Sequence, residues 1–229
     1  MRKLFMCTAI AGVAFAAEGG KESSAVQRIS EAKTVFQEIM AAGDKGIPHD
    51  LLHKAHCVAI IPGLKKGAFL VGASYGKGVL MCRPASGRGW TGPSTLKLEG
   101  GSFGFQAGGS ETDLILLVMN QKGAERLMKS EFKIGGEAAV AAGPVGRQAN
   151  AATDATMRAE MLGYSRARGV FGGISLEGST IREDVDDNRA IYGKSLTAEE
   201  ILRQGKGTQP AAGAELGREL SKYSRVEEK

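Results

Sequence analysis

Histidine is scarce: the 229 residues contain three, His49, His53 and His56, all in the first quarter of the chain. A Ser-His-Asp hydrolase of the nucleophile-elbow type carries its histidine after its serine. No histidine follows His56, so Gly72-Ala-Ser74-Tyr-Gly76 lacks its base, although it matches the G-x-S-x-G elbow. The strand signal that follows it, where an elbow needs a helix, points the same way and reads as a hairpin turn that uses glycines. Cysteine is nearly as rare, with Cys7, Cys57 and Cys82, too few for a disulfide framework. Long apolar runs are missing after the first 17 residues, so no later segment is read as a bilayer span. A strong charge of one sign is missing too. The net charge is +5, and it falls to +3 (28 Lys and Arg against 25 Asp and Glu) once residues 1–16 are set aside with Arg2 and Lys3. That balance is short of a dedicated nucleic-acid binder, and no nucleic acid is expected as a partner. Nucleotide loops are absent: no G-x-G-x-x-G follows a strand, and Gly76-Lys77 has Val71 where a phosphate loop needs its first glycine.

Glycine is abundant, at 33 residues or about twice the usual share. Without a G-X-Y period this excludes collagen and points to strands with bulges, tight turns and close backbone approach. The chain opens with Arg2-Lys3, an apolar run from Leu4, and Ala14-Phe15-Ala16. Residues 1–16 therefore read as a secretory signal peptide cleaved before Ala17, with a retained anchor as the alternative. Residues 17–24 read as a flexible leader, residues 25–204 as one domain and residues 205–229 as a C-terminal tail.

Within the domain, Val26, Ile29, Ala32, Phe36, Ile39 and Met40 follow helical spacing, capped by Ser23 or Ser24 and stopped near Gly43. Pro48 opens a second, short helix. Strands are expected over 57–61, 68–72 and 78–82, with a turn at Pro62-Gly63 and a glycine-rich turn before residue 78. Further strands are expected over 95–99 and 102–106, joined as a hairpin at Gly100-Gly101, and over 113–119, 157–165 and 170–177. Thr197 with Glu200 three residues on is a capping box, and Leu216, Leu220 and Tyr223 suggest a frayed terminal helix. The fold class is α+β: an antiparallel β-barrel or sandwich of roughly eight short strands with helices at the ends.

Two other constellations weaken on inspection. His49-Asp-Leu-Leu-His53 has the zinc-helix spacing, but its base would be an aspartate and His56 and Cys57 fall beyond the helix. Solvated helix histidines are expected, and no metal. Asp184-Val-Asp186-Asp187-Asn188 starts like a calcium loop, but Arg189 replaces the required glycine and Ser195 the twelfth-position glutamate. A helix cap or surface loop is expected there. No cofactor and no enzyme chemistry is indicated.

The runs Val58-Ala-Ile-Ile-Pro62, Gly76-Lys-Gly78, Gly89-Trp90-Thr-Gly-Pro93, Ser102-Phe-Gly-Phe-Gln106 and Asp113-Leu-Ile-Leu-Leu-Val resemble the SYLF domain. So do Gly163-Tyr-Ser-Arg-Ala-Arg-Gly-Val-Phe-Gly-Gly-Ile-Ser-Leu-Glu-Gly178, and Asn188 with Tyr192-Gly193. The likeness runs over about residues 26–203. It implies lipid binding, with anionic lipid recognition and, in some members, actin binding. With the signal segment it is similar to a bacterial, exported branch, which makes the periplasm or cell envelope the expected location. Two function classes follow: a peripheral binder of anionic phospholipid, or an envelope protein that binds a protein partner. In a three-strand meander, Lys65, Lys66, Arg83, Arg88 and Trp90 would gather at one end of the sheet as the lipid- or anion-binding face, with the helix around Val26–Met40 as the second candidate. The same meander puts Cys57 and Cys82 at opposite ends of their strands, so no disulfide is expected.

Overall fold

The structure is a computed structural model, and it describes residues 23–69, 71–103, 108–135, 140–145, 159–167, 170–172 and 176–224. The signal segment 1–16, most of the leader and part of the strand expected over 102–106 lie outside the described residues.

One sheet organises the chain. Its strands are β1 (Cys57–Phe69), β2 (Val71–Cys82), β3 (Ser94–Phe103), β4 (Gly108–Val118), β5 (Glu131–Lys133), β6 (Val140–Ala142), β7 (Met161–Ala167), β8 (Val170–Gly172) and β9 (Thr180–Glu183). Their order is β5-β9-β3-β2-β1-β4-β7-β6, with β8 on β7, and every pair is antiparallel except β6–β7. The helices are α1 (Ser24–Met40), α2 (His49–Lys54), α3 (Gln121–Leu127), α4 (Val185–Tyr192), α5 (Ala198–Leu202) and α6 (Ala211–Tyr223). The fold is α+β, as the pattern of elements implies.

Both sheet faces are buried, which explains why β4 reads as a continuous apolar run. Leu114, Leu116 and Val118 join Cys57, Ala59, Ile61, Leu80 and Cys82 in a core with α3 and α5. Ile115 and Leu117 point the other way, to a core of Val58, Ile60, Val79 and Met81 with α1, α2 and α6. The α1 periodicity is realised except at its first residue: Ile29, Ala32, Phe36 and Ile39 are each inaccessible, Val26 is half-buried, and Ser23 accepts from the Val26 N–H. The C-terminal segment read as a tail with a frayed helix instead holds α6, whose Leu216 and Leu220 are fully buried in the α1 core.

The turns expected at Pro62-Gly63 and before residue 78 do not form. β1 and β2 run on as one long hairpin, with Ile60 opposite Val79 and Lys65 opposite Tyr75. Four residues of β1 face three of β2 between those pairs, which is a β-bulge. Pro62 has no N–H to give a neighbouring strand, and Gly63 takes φ 56° while its N–H donates to Asp113 Oδ1. After the bulge the alternation flips, so Leu64 faces the core that Ile61 faced. β2 passes so close to the bulged strand that a Cβ on Gly78 would lie 2.4 Å from the Ile60 carbonyl oxygen. The expected hairpin at Gly100-Gly101 is likewise absent, because β3 continues straight through both glycines along β2.

One hairpin in place of a meander overturns the cysteine expectation. Two reversals become one, and Cys82 comes back beside Cys57 as its register partner. The neighbouring pair, His56 and Arg83, exchanges the backbone hydrogen bond from Arg83 N to His56 O. Cys57 and Cys82 therefore hold the closer, non-hydrogen-bonded position. Their Cα atoms are 3.9 Å apart and the sulfurs are joined in a disulfide.

Candidate functional site

The hairpin sorts the five residues expected to share one face into two groups. Arg83, Arg88 and Trp90 follow β2 at the disulfide end. Lys65 and Lys66 lie beyond the bulge, opposite Tyr75 and Ser74. At about 3.3 Å per residue along β1, that is roughly 25 Å from the disulfide. The meander would have brought all five together; the continuous hairpin does not.

At the disulfide end, Arg83 is a fixed cation. Its Nε donates to Ala55 O at 3.1 Å, and its terminal nitrogen to His53 O at 3.2 Å and Leu52 O at 3.4 Å. These are carbonyls left open at the end of α2, where a cation also meets the negative end of the helix dipole. The guanidinium carbon lies 4.5 Å from the centre of the Trp90 ring. Burial lowers the Arg83 pKa from its ordinary value, and no carboxylate is among its hydrogen-bond partners. Trp90 is half-buried against the α1 core, and Arg88 is exposed in the preceding loop. Helix α6 completes this end, with Arg218, Ser221 and Lys222 lining a groove of about 610 Å³ beside Trp90. Sequence reasoning missed these α6 residues because it treated their helix as a loose tail. The apolar spacing of Leu216 and Leu220 was the signal that could have placed them.

The histidines also belong to this end. His49 packs edge-on against the Tyr223 ring, with centroids 5.6 Å apart, and His53 Nδ1 lies 3.0 Å from Ser224 O. Both remain exposed, as the sequence suggested, while these contacts tie α2 to the end of α6. No cluster of potential metal ligands occurs among the described residues.

The far end is different in charge. Lys65 and Lys66 line a cleft of about 1300 Å³ between α1, the bulged part of β1 and the facing part of β4. Glu31, Glu38, Glu111 and Asp113 line it too. Arg166 bridges Asp113, at 2.8 Å, and Glu38. Burial lowers the pKa of Lys66. Four carboxylates against three cations do not make an anion site.

The residues Asn188, Tyr192 and Gly193 prove to be structural. Asn188, fully buried, accepts from Thr95 N and Thr95 Oγ1 at 2.8 Å each and donates to Leu196 O and Glu183. Tyr192 donates to Pro93 O at 2.8 Å, and burial raises its pKa. Gly193 ends α4 in the left-handed conformation. Asp184 caps α4, as the sequence suggested, and its carboxylate meets Lys77 at 2.7 Å and Lys97 at 3.2 Å. Burial opposes ionisation of Asp184, but hydrogen bonds from both lysines outweigh it and hold the carboxyl below its ordinary value. Asp187 beside it takes Arg28 at 2.6 Å and Lys77 at 3.0 Å, joining α1 to the same knot. Thr197 and Glu200 form the expected capping box.

Residues 99–223, just over half of the chain, match the family described as Ysc84, Las17-binding protein actin regulator. The chain belongs to this family, that of the SYLF domain. Among its relatives are LAS seventeen-binding protein 3 of Saccharomyces cerevisiae, 38% identical over 77% of this chain and 39% of that protein. SH3 domain-containing YSC84-like protein 1 of Bos taurus is 34% identical over 82% of this chain and 55% of that protein. The chain thus spans between two-fifths and just over half of these relatives. The family is described as one of actin regulators.

Proposed function

We propose that this chain is a non-enzymatic lipid-binding protein of the bacterial cell envelope, which attaches peripherally to anionic phospholipid by the disulfide end of its sheet. The observation that carries the reading is the cation set around Trp90. Arg83, Arg88, Arg218 and Lys222 collect there, and Arg83 is held by carbonyls and an aromatic ring rather than by carboxylates. Each cation near an anionic surface contributes about 1 kcal/mol, and an amphipathic indole suits the headgroup level. Lys65 and Lys66 would need a second contact to take part. Export is supported by the Arg2-Lys3 start with its apolar run, and by the Cys57–Cys82 disulfide, a bond that persists in oxidising compartments.

A second reading, an envelope protein that binds a protein partner, is favoured by the name of the LAS seventeen-binding relative and by the large mixed-charge cleft. Co-sedimentation with phosphatidylglycerol vesicles over a salt series separates the two. The lipid reading expects pelleting at low salt and release as salt rises. Protein that stays in the supernatant at every salt concentration would leave the protein-partner reading standing.

A further inference from the structure

The groove between Trp90 and α6 has a composition of its own. Gln209 enters from the segment before α6, and Arg218, Ser221 and Lys222 from one side of the helix. Ala214 and Gly217 supply a floor of small residues, and no carboxylate lines it. Ser221 turns its hydroxyl proton inward to Gly217 O at 2.7 Å, so it offers an oxygen only. The Arg218 guanidinium, the Lys222 ammonium and the Trp90 indole N–H are donors only, and the Gln209 amide brings an NH2 donor beside its carbonyl oxygen. Glu219 approaches Lys222 only at 3.7 Å, from the same helix.

Trp90 supplies the second observation. Its Nε1 is buried and has no hydrogen-bond partner among the described residues. A buried donor left unmade is costly. The ring cannot easily turn to find one, because Arg83 lies over it and is itself held by α2 carbonyls. Trp90, which lines the groove together with Gln209 and Lys222, therefore brings to it an indole N–H that lacks an acceptor. One compact group with several acceptor oxygens and a negative charge meets all of these donors at once. A phosphate does this better than a planar carboxylate, whose two oxygens lie on one side. At about 610 Å³ the groove is within the size range of small-ligand sites.

We infer that the Trp90–α6 groove is a phosphate site that receives the phosphodiester of an anionic phospholipid headgroup, with Arg218 and Lys222 as its charge partners and the Trp90 N–H as a donor. The inference rests on the lipid reading above for the source of the phosphate, and on the groove itself for the chemistry. It makes attachment a docking of one headgroup as well as a diffuse attraction, and it sets the orientation, with the 84–90 loop and the side of α6 towards the membrane.

Trp90 is the single tryptophan of the chain, so its emission reports on this groove alone. The full chain is titrated with vesicles of phosphatidylglycerol and phosphatidylcholine in equal parts, and separately with inorganic phosphate. Emission and co-sedimentation are both read. The Arg218→Ala/Lys222→Ala variant lowers vesicle affinity about thirty-fold at low salt and abolishes the emission change. Lys129→Ala/Lys133→Ala, which removes the same charge from exposed positions near α3 and β5, stays within about twofold of the parent. Circular dichroism checks that both fold; the buried Leu216 and Leu220 of α6 are untouched. Equal binding by the parent and the α6 variant overturns the groove and leaves the lipid reading in place. Equal loss in both variants also overturns it, because net charge then suffices. No vesicle binding by the parent overturns the lipid reading. If inorganic phosphate still changes the emission, and the α6 variant loses that change, the groove stands as a site for a soluble phosphate ester.

Discussion

Two regions of the molecule hold cations in opposite ways. In the knot under α1 and α4, Arg28, Lys77 and Lys97 are spent on Asp184 and Asp187. At the disulfide end, Arg83 is held by carbonyls and a ring, and Arg218 and Lys222 line a groove free of carboxylates. The residue types are the same and the neighbours decide the role. A lysine whose charge is matched inside the fold contributes stability. Arg83, set beside carbonyl oxygens and an indole with no carboxylate among its hydrogen-bond partners, keeps its charge for an outside anion. Counting basic residues along the chain does not separate the two kinds.

Breaking the knot gives the largest expected effect. Asp184→Ala leaves Lys77 and Lys97 crowded without their shared carboxylate and removes the cap of α4. Losing one side of a buried pair costs about 3–5 kcal/mol, and urea denaturation measures it. The pH dependence has a definite sign. The folded pKa of Asp184 lies below its unfolded value, so its contribution is present above the usual carboxylate range and is lost as pH falls through the folded pKa. Asp184→Asn flattens the acid limb of stability against pH; an unchanged limb would mean the lysines do not hold this carboxylate. Vesicle affinity of the folded fraction should stay at the parental level in both variants.

The disulfide comes next. It closes a loop with a sequence separation of 25, and removing such a crosslink lowers stability by about 3 kcal/mol. Denatured, unreduced protein should show Cys57 and Cys82 joined in one peptide pair by mass mapping. Alkylation of either thiol before reduction would restore the meander and its separated ends.

That bond also shows where the sequence was legible. Helix α1, the short α2, the buried β4 and the Thr197 capping box were readable because each is set by local periodicity or by a local cap. The α+β class followed from their order. The hairpin was not readable, because Pro-Gly and glycine-rich stretches serve turns and bulges alike, and only the pairing across strands decides between them. Pro62-Gly63 became a bulge because Asp113 on β4 receives the Gly63 N–H, a partner 50 residues away. The site inherited that error: Lys65 and Lys66 were placed by a turn that does not exist. The two halves of the hairpin can be told apart by one methyl group each. Gly78→Ala, in the tight half, forces a Cβ against the Ile60 carbonyl and costs about 1–3 kcal/mol. Gly67→Ala, where a Cβ would meet nothing within 4 Å, stays within about 0.5 kcal/mol of the parent. Equal thermal shifts for the two would contradict the close crossing of β1 and β2.

The smallest effect is the most direct test of which end meets a membrane. Arg88 is exposed in the loop before Trp90 and has no part in either core. Arg88→Ala should therefore leave stability within about 0.5 kcal/mol and weaken vesicle binding about fivefold at low salt, the worth of one cation near an anionic surface. The effect should fade as salt rises and the Debye length shrinks. Lys65→Ala/Lys66→Ala removes twice the charge, but from the cleft where Glu31, Glu38, Glu111 and Asp113 surround it. That variant should bind vesicles within about twofold of the parent. A larger loss from the lysine pair than from Arg88 would turn the molecule round and make the far cleft the membrane-facing end. The physical reason for expecting otherwise is that the lysine charges are already opposed by more carboxylates than they can balance, so removing them changes the local field at a membrane less than removing an exposed arginine that no carboxylate pairs among the described residues.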